Sequence, residues 1–328
     1  MSSPVRSLLG LDIGGTKIAC LEGSGDGQTL QRCELPTEAA RPFDSTFPAL
    51  LSALEAQRSA ARAAGREVIA LSVAVGGPLQ IEAGILRDPP HLPGWHGVRL
   101  KQRLEQALPD LPVFIEHDGN AGALAEFHFG AGRMRPGTRH LIFLTFGTGL
   151  GAGFVIDGRI LRGASDTAGE IGHWRLAREG PAGYGKRGSW EGFASGAGLV
   201  QLAHRMFPHR WPALTPIREL AEAMLRDEPE ALAVANAAGR RMGQGLALLV
   251  DALNPQLIVL GSLAVLLGER ILAPARRVVR REALPAAAAA CEILPAQLGM
   301  RIGDVAALMA ALGDARVRSA LGLNPARA

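Results

Sequence analysis

The chain is poor in cysteine, lysine, tyrosine and long apolar runs, and these scarcities exclude several classes of protein. Its three cysteines, Cys20, Cys33 and Cys291, are scattered and share no metal-ligand spacing, so the sequence predicts a reduced, cytoplasmic protein. The most apolar region, residues 245–267, is interrupted by Asp251, Asn254, Pro255 and Gln256, so no membrane span is predicted.

Basic charge is present but dispersed. The formal net charge of +4 is spread over isolated arginines without a basic run or interleaved aromatic residues. A calculated pI of 9.4 is therefore weak ground for nucleic-acid binding, and none is predicted. The first seven residues lack the apolar core of a signal peptide. At 328 residues and 48% hydrophobic, the chain can bury a large core and is expected to form two domains.

Apolar runs and helical periodicity alternate along the chain, which predicts an α/β architecture. Strands are expected near residues 8–11, 68–75, 113–115, 140–145, 154–156 and 257–260. Helices are expected near residues 47–64, 98–108, 118–129 and 231–253. The stretch 164–198 is glycine-rich and irregular, as loops that bind substrates often are.

The most informative motif follows the first predicted strand. Asp12 stands at its end, and Gly14, Gly15, Thr16 and Lys17 follow. Two glycines let the backbone N–H groups approach a phosphate closely, and an adjacent carboxylate suits a hydrated Mg²⁺. Only three of the 35 basic residues are lysines, and one of them lies in this motif, where an ammonium can bind a phosphate oxygen as a point charge. An ordinary hairpin turn is the alternative interpretation.

A second glycine loop contains Gly147, Thr148 and Gly149 between two apolar runs. Its spacing formally fits the dinucleotide fingerprint, but that fingerprint requires a helix after the glycines. Here a β-like run with an Asp157-Gly158 turn follows, so a phosphate-binding hairpin is the better interpretation. Two such strand–loop–strand units predict two related domains that face one nucleotide.

Four polar residues suggest a site for a polyol. Asp118 opens a predicted helix after a strand, where it could cap the helix or act as a general base. Glu170 and His173 are spaced i, i+3, and Glu191 follows. Taken singly, Glu170 or Glu191 is more typical of a solvated surface acid, and His173 of a core histidine whose hydrogen bonds are satisfied. Together they could hydrogen-bond the several hydroxyls of a sugar.

These motifs, in this order, closely resemble the ROK family of repressors and sugar kinases. The resemblance covers almost the whole chain, through residues 11–18, 76–78, 92–95, 118–121, 145–153, 169–173, 188–191 and 258–261. It implies two actin-like (ribonuclease-H-like) α/β domains with a nucleotide and sugar cleft between them. The expected division is residues 1–117 plus 302–328 for the small domain and 118–301 for the large one.

The resemblance also implies a role for each matching residue. Asp118 would be the general base of an ATP-dependent hexose kinase acting on a sugar hydroxyl, usually the 6-OH. Asp12 would lie near Mg²⁺ through water, and ATP and Mg²⁺ are the implied cofactors. A cytoplasmic homodimer with a hexose substrate is expected. The implied nucleotide-binding residues are Asp12, Gly14, Gly15, Thr16, Lys17, Gly147, Thr148, Gly149 and Gly261. The implied sugar-binding residues are Gly77, His91, His117, Asp118, Glu170, His173 and Glu191.

The chain departs from the family pattern in two places. Many members bind a structural zinc through the matching histidine and three cysteines, but those cysteine positions hold Ala182, Tyr184 and Ser189 here, so no zinc site is predicted. The family usually has asparagine where this chain has His91 and His117. An imidazole cannot reproduce the paired donor and acceptor of an amide, so the choice of sugar is open.

Glucose is the leading substrate, with fructose, mannose or an N-acetylhexosamine as alternatives. A sugar-sensing repressor of the same family is a second hypothesis, which the expected start of the first strand near residue 8 disfavours because no helix-turn-helix would precede it. An actin-like or chaperone-like ATPase is a third hypothesis, and it leaves the residues Glu170, His173 and Glu191 unexplained. A catalytically silent sugar-binding protein is a fourth.

Overall fold

The computed structural model of the protein describes residues 4–323. Its strands are β1 (Val5–Ile13), β2 (Lys17–Gly23), β3 (Thr29–Pro36), β4 (Arg66–Val75), β5 (Leu79–Gln80), β6 (Ile85–Leu86), β7 (Val113–His117), β8 (Leu141–Phe146), β9 (Leu150–Ile156), β10 (Arg159–Ile160), β11 (Ala182–Gly183), β12 (Lys186–Arg187), β13 (Leu257–Ser262) and β14 (Glu292–Pro295). Its α-helices are α1 (Phe43–Ala63), α2 (Leu100–Ala107), α3 (Asp118–Phe129), α4 (Trp190–Ala194), α5 (Gly196–Met206), α6 (Ile217–Leu225), α7 (Pro229–Leu253), α8 (Leu263–Leu267), α9 (Glu269–Glu282), α10 (Pro285–Ala290), α11 (Ile302–Leu312) and α12 (Ala315–Ala320).

The chain divides into two compact units. Unit 1 contains the described residues up to Phe129, the segment Gly158–Ala168 and the described residues from Met300 onward. Unit 2 contains Gly130–Asp157 and Gly169–Gly299. The expected domain division at residue 118 stays a prediction; helix α3 and residues 158–168 belong to unit 1.

Unit 1 is built on a mixed sheet with the strand order β3-β2-β1-β4-β7. Strand β1 pairs antiparallel with β2 and parallel with β4, which pairs parallel with β7. Successive side chains of a strand point to opposite faces. Leu9 and Leu11 accordingly join the core cluster that contains residues of α1 and α2. On the other face, a Cβ at Gly10 would lie 3.2 Å from the Cβ of Ala307 in α11. This alternation puts Asp12 on the same face as α11.

Unit 2 contains a mixed sheet with the order β9-β8-β13-β14, in which β8 pairs antiparallel with β9 and parallel with β13. The long helix α7 packs closely on α9. An added Cβ at Gly239 would lie 2.6 Å from the carbonyl oxygen of Ile271, and one at Gly243 would lie 2.5 Å from that of Ala275. Glycine at these helix positions therefore permits a backbone approach that alanine would prevent.

The expected α/β architecture and each expected strand and helix are confirmed, with ends that shift by a few residues. The strand after the second glycine loop is confirmed as β9, which agrees with the rejection of a dinucleotide fingerprint. The alanine-rich segment that begins at Pro285 is the short helix α10. In the part of the chain that the structure describes, every helix is too short or too polar to cross a membrane.

Candidate functional site

The first glycine loop closes the β1–β2 hairpin in unit 1. The N–H of Gly14 donates to the carbonyl of Lys17 (3.0 Å). Thr37 is fully buried and makes two hydrogen bonds to the loop. Its Oγ1 donates to the carbonyl of Gly14 (2.6 Å), and its N–H donates to the carbonyl of Thr16 (3.1 Å). A Cβ at Gly15 would lie 2.8 Å from the carbonyl oxygen of His91. The loop is thus fixed by its neighbours before any ligand binds.

Asp12 lies two residues before Gly14, in an environment that is unfavourable for its negative charge. The pKa of its carboxyl group is raised to about 7, mainly by burial and also by the nearby carboxylates of Asp118 and Asp304, while Lys17 and Arg32 act to lower it. A Cβ at Gly303 would lie 2.7 Å from Asp12 Oδ2, so glycine there makes room for the carboxylate. Sequence reasoning missed Asp304 and Gly303, because only the docking of α11 brings them to β1.

This environment fits a cation. A divalent ion near Asp12 would offset the burial of the carboxylate and its repulsion by Asp118 and Asp304. Residues 4–323 contain no group of three or more His, Cys, Asp or Glu side chains arranged to hold a metal. A site of few protein ligands suits Mg²⁺, which keeps several waters and takes one or two carboxylates. Asp12 is the residue that would hold it through water, and this assignment stays a prediction.

Lys17 points toward solvent in this structure. Its Nζ lies 2.6 Å from Glu34 Oε1, and its side chain is 62% exposed. Arg32 bridges Glu34 and Asp304, with contacts of 2.6 and 2.9 Å. The hydrogen bonds from Lys17 and Arg32 hold the pKa of the Glu34 carboxyl below its usual value. The expected contact of Lys17 with a phosphate requires its ammonium to leave Glu34, and it stays a prediction.

Asp118 is the first residue of α3 and follows β7 directly. Its side chain is 51% exposed, and its Oδ1 accepts the N–H of Gly119 at 2.7 Å. A Cβ at Gly76 would lie 3.6 Å from Oδ2, so this glycine borders the carboxylate. The carboxylate is therefore oriented through one oxygen while the other is available.

Hydrogen bonds made by His117 and Glu116 fix the backbone on either side of Asp118. His117 Nδ1 accepts the N–H of Gly119 (3.2 Å), and a Cβ at Gly77 would lie 2.9 Å from its Nε2. Glu116 is buried and accepts from Asn120 Nδ2 (2.9 Å), from the N–H of His117 (3.0 Å) and from Arg162. These bonds tie the end of β7 to the first turn of α3. The sequence analysis did not single out Glu116 or Arg162.

The second glycine loop joins β8 to β9 in unit 2. The N–H of Gly147 donates to the carbonyl of Gly149 (3.0 Å), and the carbonyl of Gly147 accepts the N–H of Gly196 (2.8 Å). Thr148 between them is exposed. Gly261 lies at the end of β13, beside Thr145 in the parallel register, and Ser262 Oγ is 3.0 Å from Thr145 Oγ1. Ser262 has φ of +50°, which is a strained value for a residue with a side chain.

Glu170, His173 and Glu191 come together in the same unit. His173 Nε2 lies 3.8 Å from Glu170 Oε2. Gly172 connects them to Glu191, because a Cβ on Gly172 would lie 3.4 Å from the Cβ of Glu191. Glu191 Oε2 accepts the N–H of Leu150 at 2.9 Å. This bond links the predicted sugar-binding cluster to the residue that directly follows the second glycine loop.

Each unit thus holds part of the predicted site. In unit 1 the structure gathers Asp12, the first glycine loop, His91, His117 and Asp118. In unit 2 it gathers the second glycine loop, Gly261 and the three residues Glu170, His173 and Glu191. The profile of the ROK family matches residues 8–313. The chain belongs to the ROK family.

Relatives of this ROK protein include sugar kinases. It is 31% identical over 318 residues to a glucokinase of Streptomyces coelicolor, covering 91% of this chain and 95% of that protein. A ROK hexokinase structure from Thermus thermophilus is 33% identical with a TM-score of 0.77, covering 94% and 98%. A ROK glucokinase from Streptomyces griseus, solved with glucose and AMPPNP, is 30% identical with a TM-score of 0.75, covering 93% and 99%.

The family also contains regulators. A xylose repressor of Caldicellulosiruptor bescii is 28% identical over 293 residues, covering 86% of this chain and 72% of that protein. The similarity to glucokinases and to a hexokinase structure supports a sugar kinase, and the actin-like fold of two α/β units is confirmed by the same structures.

Proposed function

We propose that this ROK protein is an ATP-dependent hexose kinase that transfers the γ-phosphoryl group to the 6-OH of glucose. The observation that carries the proposal is the carboxylate of Asp118, half exposed at the start of α3 and oriented by the N–H of Gly119. Asp12 and the first glycine loop belong to the same unit as Asp118, and the carboxylate of Asp118 is near enough to raise the pKa of Asp12.

Asp118 acts as the general base in this proposal. Its Oδ1 is held by the Gly119 N–H, so its Oδ2 takes the proton of the sugar hydroxyl as that oxygen attacks phosphorus. Gly76 borders Oδ2, and in this proposal the reacting hydroxyl approaches that oxygen. Phosphoryl transfer depends mainly on positioning and charge neutralisation, so an oriented base and two fixed glycine loops are the principal demands.

The glycine loops hold the donor phosphates. Backbone N–H groups and the hydroxyls of Thr16 and Thr148 are the donors, and Lys17 supplies positive charge after it leaves Glu34. Mg²⁺ bound near Asp12 would neutralise charge on the donor phosphates. Glu170, His173 and Glu191 bind ring hydroxyls through charge-assisted hydrogen bonds. A cytoplasmic homodimer that depends on Mg²⁺ completes the proposal, and analytical ultracentrifugation tests its dimeric state.

The experiment that tests the proposal is a coupled ADP-release assay with Mg-ATP and glucose, fructose, mannose, N-acetylglucosamine or N-acetylmannosamine. We expect release that depends on glucose. Dependence on another hexose would keep the kinase and correct its substrate. Release without sugar would favour an ATPase, and no release together with retention of DNA on a filter would favour a regulator.

His117 is the residue whose exchange should alter the choice of sugar. Its imidazole lies against Gly77 beside Asp118, where the family usually has an amide. Replacing a ring that offers one donor and one acceptor by an amide changes which hydroxyl orientation is satisfied. We expect His117→Asn to change the ratio of kcat/KM between glucose and mannose while KM for ATP stays the same. Equal effects on all sugars would contradict this role.

A further inference from the structure

Tyr184, the single tyrosine of the chain, lies against the imidazole of His173. The two ring centroids are 4.0 Å apart and the ring planes differ by 17°, so the pair is stacked. Stacked aromatic rings at such a separation attract each other. Rotation of the His173 ring about its χ2 angle would break this contact, so the stack restrains the direction in which the two ring nitrogens point.

The turn that carries Tyr184 is itself held on two sides. Tyr184 and Gly185 join β11 to β12 with φ values of +52° and +68°. Ser189 Oγ accepts the N–H groups of Gly183 and Gly192 (both 3.1 Å) and donates to the carbonyl of Gly183 (3.2 Å). A left-handed conformation at a tyrosine is strained and persists only where the surroundings fix it. The hairpin is thereby attached to α4, the helix that contains Glu191.

The second attachment reaches His173 directly. Lys186 Nζ donates to the carbonyl of His173 at 2.8 Å, so the same hairpin holds the backbone of His173 and covers its ring. Gly172 leaves the required space, because a Cβ there would lie 3.2 Å from Tyr184 Cε2. Backbone and ring of one histidine are therefore fixed by one short hairpin.

We infer that Tyr184 is a positioning residue that orients the His173 imidazole for a sugar hydroxyl. The inference rests on the proposed function, in which His173 binds the sugar. The covered ring face leaves the ring edge for hydrogen bonding, and at that edge Nε2 lies 3.8 Å from Glu170 Oε2. An imidazole that is already oriented loses less conformational freedom when the sugar binds, so the stack increases affinity for sugar without a contact of its own.

The test uses the full-length protein with Tyr184→Leu and Tyr184→Phe. Leucine keeps an apolar side chain of moderate size but has no aromatic face, and phenylalanine keeps the face without the hydroxyl. Both retain the strain of the left-handed backbone, which makes them a matched pair. Histidine ring protons are recorded by NMR in the sugar-free protein, and His173→Gln assigns the His173 signal among the eight histidines. Protons over an aromatic face shift upfield.

We expect the His173 ring protons to be shifted upfield in the wild type and in Tyr184→Phe and to lose this shift in Tyr184→Leu. The KM for glucose should rise about 3- to 10-fold in Tyr184→Leu and stay within about twofold of the wild-type value in Tyr184→Phe, with KM for ATP unchanged in both. Loss of the shift together with an unchanged KM for glucose would overturn the positioning role.

Two further results separate this inference from the proposed function. An absent upfield shift in the wild type would overturn the stack whatever the activity. If the wild type binds none of the hexoses by calorimetry, the proposed function fails and the sugar-binding part of the inference fails with it, while the NMR shift still decides whether Tyr184 orients His173. A Tyr184→Leu variant that loses thermal stability, with KM for glucose and KM for ATP raised by the same factor, would assign the residue a structural role only.

Discussion

The two glycine loops share a topology and differ in chemistry. Both close an antiparallel hairpin at the end of a strand that also pairs in parallel with a neighbour. The first has the carboxylate of Asp12 beneath it, near the acidic side chains of Asp118 and Asp304. The second has instead a pair of hydroxyls, Thr145 and Ser262, 3.0 Å apart. One hairpin concentrates negative charge, and the other presents neutral hydrogen-bonding groups.

In the proposed function, hairpins of one topology therefore meet two different chemical demands. A cluster of carboxylates repels phosphate unless a cation intervenes, so the first loop suits the metal-bound part of the donor. Neutral hydroxyls and backbone N–H groups bind phosphate directly, so the second loop needs no metal. The sequences of the two loops are similar and do not reveal this difference in charge, because the acidic residues near the first loop come from β1, α3 and α11.

The largest expected effect comes from removing the charge of the first loop. Asp12→Asn should lower kcat about a hundredfold or more, because the cation that neutralises the donor phosphates loses its anchor. Thr148→Ala in the second loop, which changes no charge, is the matched control and should retain most of kcat. The coupled assay at saturating Mg-ATP and glucose measures both. Equal losses in kcat would contradict the assignment of the metal to the first loop.

The same substitution should stabilise the protein without ligands. The folded pKa of Asp12 is about 7 against 3.8 for the free group, so ionisation is disfavoured in the folded state. The penalty is absent below about pH 4, grows as pH rises toward 7 and is complete above it. Asp12→Asn should therefore raise the free energy of unfolding at pH 8 by up to about 4 kcal/mol and change it little at pH 4. Urea unfolding at both values, without Mg²⁺ or nucleotide, measures the change.

The result that would contradict this account is an Asp12→Asn variant that is no more stable than the wild type at pH 8. The carboxylate would then be as well solvated in the folded protein as in water.

A smaller effect on stability is expected from the different amounts of space around the glycines of the two loops. A Cβ at Gly15 would lie 2.8 Å from the carbonyl oxygen of His91, whereas at Gly147 the nearest atom is Ser262 Oγ at 4.0 Å. Gly15→Ala should cost about 1–3 kcal/mol of stability, and Gly147→Ala less than about 0.5 kcal/mol. Thermal unfolding of the two variants beside the wild type measures this, and equal losses would contradict the described packing of His91.

The smallest expected effect is a lost hydrogen bond in the second loop. Thr148→Ala should raise KM for ATP about 3- to 10-fold and leave KM for glucose unchanged, because one neutral hydrogen bond to a phosphate is removed. Thr148→Ser keeps the hydroxyl and should behave as the wild type. A serine variant as impaired as the alanine variant would show that the methyl group, not the hydroxyl, matters.

The sequence predicted what depends on local pattern. Strand β1 followed by its glycine loop, and β8 followed by its own, are legible as apolar runs that end in glycine. The polar residues Glu170, His173 and Glu191 were also recognisable, because two of them are spaced i, i+3 and all three match a family motif.

The sequence did not reveal contacts made by distant segments. Asp304 acts on Asp12 because the packing of α11 on β1 brings residues from the two ends of the chain together. The ion pair of Lys17 with Glu34 depends on the register of β2 and β3, and β3 was not predicted because its exposed side chains lack a clear apolar alternation. The stack of Tyr184 on His173 depends on a two-residue turn that no periodicity indicates.

The central claim is that Asp118 is the base of a sugar kinase, and one measurement tests it most directly. ADP release and sugar phosphate formation are measured together, with Mg-ATP and glucose, for the wild type and for Asp118→Asn. We expect equal amounts of both products from the wild type and a kcat lower by about 10²–10⁴-fold in the variant. Glucose binding by the variant, followed by calorimetry, should persist. An Asp118→Asn variant that phosphorylates glucose at the wild-type rate would contradict the account.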